Sequence, residues 1–115
     1  MKLKTDFVTN SSSTAFIITN TSGIKKTLVD FVKENPQLIE MFVKEYDWHK
    51  DDPNYTQKNL IKSAKENNIN FKANYSTYSI FGDEDGTLIG HVFDYILRDG
   101  GSSKSFTWRF SEYLR

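Results

Sequence analysis

Four apolar residues in a row, Ala15-Phe16-Ile17-Ile18, follow a polar cluster that runs from Thr9 to Thr14. A short β-prone run that is apolar at consecutive rather than alternate positions suits a strand covered on both faces. Such a strand belongs in the middle of a sheet, and the other elements must be arranged around it. Upstream, the apolar pair Phe7-Val8 closes a plausible first strand over Leu3 to Val8. The cluster Thr9-Asn10-Ser11-Ser12-Ser13-Thr14 then reads as the hairpin turn between the two, because Asn and Ser side chains bond readily to nearby backbone.

Downstream, the period changes to that of helices. Asn20-Thr21-Ser22-Gly23 ends the strand and offers Thr21 or Ser22 as a cap. Ile24, Leu28, Phe31 and Val32 fall on one helical face. Asn35-Pro36 breaks that helix and opens another, lined by Leu38, Ile39, Phe42, Val43 and Tyr46. A third helix, starting at Asp52-Pro53 or Thr56, carries Leu60, Ile61 and Ala64 and stops near Asn67-Asn68. Asn70 to Phe81 reads as one long strand whose apolar positions change parity, which predicts a bulge around Ser76-Thr77. Thr87 caps a strongly apolar helix over Leu88 to Arg98, ended by Asp99-Gly100-Gly101. In the last strand Phe106, Trp108 and Phe110 point inward, and Thr107 and Arg109 outward. The pattern predicts one α+β domain over 1–115 in the order β-β-α-α-α-β-α-β. Its sheet is mainly antiparallel with about four strands, and its helices pack largely on one face.

Composition narrows the functions. Fifteen basic residues balance fifteen acidic ones, so no net field steers a polyanion toward the chain. Without cysteine there is no disulfide framework, thiol nucleophile or thiolate metal site. No apolar run reaches the roughly 18 residues of a membrane span. Met1 to Asp6 lacks the apolar core of a secretion signal, so a cytoplasmic location is expected, with no membrane association.

The hydroxyl cluster is the most conspicuous polar feature. Adjacent hydroxyls in a turn could hold phosphate or a nucleophile, but a nucleophilic serine needs a base, and only His49 and His91 could supply an imidazole. The bland account, that the cluster shapes a bend, is preferred. Gly100-Gly101-Ser102-Ser103-Lys104-Ser105 lacks the glycine before lysine and the strand-to-helix order of a phosphate loop. Neither Asp83-Glu84-Asp85 nor the group Asp47, His49, Asp51, Asp52 has a recognised metal spacing. Accordingly no cofactor or metal is expected. The numerous rings suit a core, and Lys72, Lys104 and Arg109 are too few for a base-stacking sheet. Candidate contact residues are Asn10, Ser11, Ser12, Ser13 and Thr14, with Tyr78 and Arg109.

The run Asp6-Phe7-Val8-Thr9-Asn10-Ser11-Ser12-Ser13, followed by Phe16-Ile17-Ile18, resembles a start shared by many small bacterial and phage proteins, with Thr14-Ala15 standing where further serines are usual. It covers about the first 20 residues. The resemblance implies a bacterial or phage origin and a cytoplasmic setting, and carries no catalytic residue with it. The function expected is a small non-enzymatic interaction module, an adaptor or inhibitor, with a protein partner. The alternatives are a small hydrolase or transferase using the Ser11–Thr14 turn, and nucleic-acid binding through a basic helix face around Lys25, Lys26 and Lys33.

Overall fold

The computed structural model describes residues 13–45, 53–82 and 87–114. The expected strand over Leu3 to Val8, the turn residues Thr9 to Ser12, Tyr46, the segment Asp47 to Asp52 and the acidic turn Asp83 to Gly86 lie outside them. The elements are β1 (Ser13–Asn20), β2 (Lys26–Thr27), α1 (Leu28–Glu34), α2 (Gln37–Glu45), α3 (Gln57–Asn67), β3 (Asn70–Phe71), β4 (Tyr75–Gly82), α4 (Leu88–Ile96), β5 (Gly101–Ser102) and β6 (Phe106–Leu114). The chain is α+β, with its main strands and helices in the expected order. Four strands form an antiparallel sheet in the order β4-β1-β6-β5, and β2 pairs with β3 in a separate small sheet.

β1 is the central strand, as its consecutive apolar residues require. Its inward parity carries Thr14, Phe16, Ile18 and Asn20, all fully buried. Phe31 of α1 sits against this side of the sheet, its ring edge-on to Phe106 at 5.0 Å, Trp108 at 5.2 Å and Phe93 of α4 at 5.5 Å. That one ring joins α1, α4 and β6. The outward parity is covered less completely, since Ala15 is buried but Ile17 and Thr19 are only half-buried.

Several boundaries differ from the sequence reading. Ser13 and Thr14 belong to β1 rather than to the turn, because both pair with β4 and β6. The first helix starts at Leu28, not Ile24. Thr27 is its cap and forms a reciprocal box with Asp30, while Ile24 is 63% exposed. The residues between are diverted into a turn held by Asn20, whose side-chain amide donates to the Ile24 carbonyl and whose carbonyl oxygen accepts from the Ser22 amide. Asn70 to Phe81 is two strands rather than one. The turn falls at Asn74 (φ 52°), and the register of β4 with β1 is unbroken through Ser76 and Thr77. The bulge lies in β6 instead, where Ser111 is skipped between the pairs Phe16–Phe110 and Ala15–Glu112.

Other signals hold as read. Pro36 separates α1 from α2, Thr56 caps α3, Asn68 ends it in the left-handed conformation, and Thr87 caps α4. None of the described helices is long and apolar enough to cross a membrane.

Candidate functional site

The helices α1 and α4 occupy the inward side of the sheet. On the outward side, alternation sets out three rows running across β4, β1 and β6. They are Ser76–Thr19–Thr107, Tyr78–Ile17–Arg109 and Ile80–Ala15–Glu112. The first row is polar, with the hydroxyls of Thr19 and Ser76 2.7 Å apart. The middle and last rows each run from a half-exposed apolar group on β4 to a charge on β6. Tyr78 is 49% exposed and Ile80 47% exposed, and Arg109 and Glu112 are exposed on the far strand. Tyr78 reaches over β1 and donates its phenol hydrogen to Glu112 Oε2 at 2.7 Å. That hydrogen bond to a carboxylate holds the phenol proton and pushes the Tyr78 pKa up.

Tyr78 and Arg109, two of the candidate contact residues, therefore stand in one row with Ile17 between them. Glu112 and Ile80 complete the surface. Glu112 was not legible as an outward residue, since strict alternation from Arg109 selects Ser111. The bulge moves Glu112 into that place. Its only trace in the sequence is that outward polar alternation fails after Phe110.

The hydroxyl cluster is a different kind of place. Asn10, Ser11 and Ser12 lie outside the described residues. Thr14 faces inward and is fully buried, and its hydroxyl donates to Asp94 Oδ1 of α4 at 2.5 Å. Arg98, one turn further along α4, donates from Nη2 to the same oxygen at 3.2 Å and from Nε to the Asp94 carbonyl at 2.7 Å. Its guanidinium also covers the rings of Tyr95 at 4.7 Å and Tyr113 at 5.1 Å. Asp94 is fully buried, and its Oδ2 has no hydrogen-bond partner among the described residues. The arrangement ties the central strand to the most buried helix. It points the Thr14 hydroxyl at an acid inside the core, where no substrate has access.

His91 packs among rings, edge-on to Phe42 at 5.4 Å and to Tyr95 at 5.6 Å. A cleft of about 340 Å³ beside the end of α4 is lined by Gln37, Met41, Glu45, Asp99 and Trp108 among others, and an apolar groove of about 390 Å³ runs past Val43 and Tyr55. Neither includes Ser13 or Thr14. Among the described residues no three His, Asp or Glu side chains gather as metal ligands.

A second polar cluster closes the loop before β6. Glu34 at the end of α1 accepts from the Ser103 hydroxyl and from the Ser105 amide at 2.7 Å, and Asn35 donates to the Ser103 hydroxyl at 3.2 Å. Burial pushes the Glu34 pKa up, but the hydrogen bonds from Ser103 and Ser105, with the charge of Lys26, together outweigh it and leave the value lowered. The segment Gly100 to Ser105 is thus bound to a carboxylate, the reverse of a phosphate cradle.

No known protein family, curated protein or solved structure matches this chain.

Proposed function

We propose that the chain is a non-enzymatic protein-interaction module, an adaptor or inhibitor, that binds a protein partner through the outward face of its sheet. The observation that carries this reading is the row Tyr78–Ile17–Arg109 with Ile80 and Glu112 beside it. Tyrosine and arginine around a small apolar centre are the residue types that contribute most at protein interfaces. The burial of Thr14 against Asp94 favours this reading over chemistry at the hydroxyl cluster. Lys26 and Lys33 share their region with Asp30 and Glu34, which favours it over nucleic-acid binding. The amino-terminal resemblance adds a bacterial or phage cytoplasm as the setting.

The test is affinity capture from a bacterial lysate with three baits. Wild type and Lys62→Glu, altered on α3, should recover the same stoichiometric protein, and Arg109→Glu should lose at least nine-tenths of it. Equal recovery by all three baits, or loss only with Lys62→Glu, would contradict the proposal.

A further inference from the structure

We infer that β4 pairs antiparallel with β4 of a second copy of this chain, extending the sheet through a two-fold axis at Ser79. This surface is a strand edge, and it shares Tyr78 and Ile80 with the outward face.

β4 is the outermost strand, bonded to β1 on one side only among the described residues. Edge strands that stay single are guarded by charges, proline, bulges or shortness. The other edge of this sheet has such guards: β5 is two residues long, and beyond it β6 carries Arg109, Glu112 and the bulge at Ser111. β4 has none. Its eight residues, Tyr75-Ser76-Thr77-Tyr78-Ser79-Ile80-Phe81-Gly82, include no charge and no proline, and its register with β1 runs without a break.

An uncharged strand meets its own copy without like-charge repulsion, and a two-fold axis is the symmetry such self-pairing takes. Antiparallel partners share a face, so the axis must pass through a residue rather than between two. Centring it on Ser79 sets Tyr78 opposite Ile80 of the copy, twice. Both side chains are about half exposed in the single chain, and aromatic with β-branched is a favourable cross-strand pair. The same register sets Ser79 opposite Ser79 of the copy. Ser79 is 5% exposed, so this position adds backbone pairing and no side-chain contact. A single strand pair covers less than the roughly 1,600 Å² of a standard interface, so the dimer is a reversible one.

Sedimentation velocity of the full chain over a concentration series tests this. Wild type should shift from monomer to dimer as concentration rises. Tyr78→Lys and Ile80→Glu should each weaken association at least tenfold while keeping a cooperative thermal transition, and mixing the two should restore a dimer, because Lys then faces Glu. A wild type that is monomeric throughout, or a dimer indifferent to both substitutions, would overturn the inference. So would β4 amides that are equally protected from hydrogen exchange in dilute monomer, which would mean that the chain covers this edge itself.

Discussion

Thr14 shows what a single residue hides in a sequence. Read locally it is the last member of a polar turn, because Ser and Thr are common there. In the fold it is a buried strand residue whose partner, Asp94, lies 80 positions away. Nothing near Thr14 announces that acid, and Asp94 itself stands inside an apolar helical stripe with no local sign that it is buried. The pair has a measurable consequence. Thr14→Val removes a donor from a carboxylate that cannot reach water, and should cost about 1–3 kcal/mol in urea unfolding. Replacing Asp94 by Leu in the same chain removes the stranded acceptor as well, so the double variant should be destabilised by less than the sum of the single ones.

At the scale of elements, a capping signal marks the boundary where the cap is also the first turn's hydrogen-bond acceptor, as at Thr56 and Thr87. α1 is different, because Ile24 continues the helical period while the Asn20 side chain holds the backbone in a turn. A one-dimensional period cannot register a side chain that bonds four residues ahead. The short pairing of β2 with β3 was missed for a related reason, since two-residue strands carry no period at all. The contact between α1 and the loop before β6 rests on Glu34. Its pKa is lower in the folded chain than in the unfolded one, so its stabilising contribution is full above about pH 4.5 and disappears as pH falls through the folded value. Thermal melts should therefore find Glu34→Gln less stable than wild type at pH 7. The gap should close once the medium is more acidic than the folded pKa.

For the whole molecule, the position of β1 was legible because consecutive apolar residues leave a strand few places other than the centre. The one-sided helix layer followed from the number and amphipathicity of the helices. What could not be read was the composition of the outward face, which three strands from distant parts of the chain assemble, and whose membership a single bulge at Ser111 decides. That face is the centre of the functional account. The measurement that reaches it most directly is photocrosslinking in a bacterial lysate from a benzophenone side chain placed at Thr107, on the outward face, or at Lys62, on α3. The account predicts one discrete crosslinked protein from position 107 and none from position 62. Crosslinking from position 62 alone would contradict it.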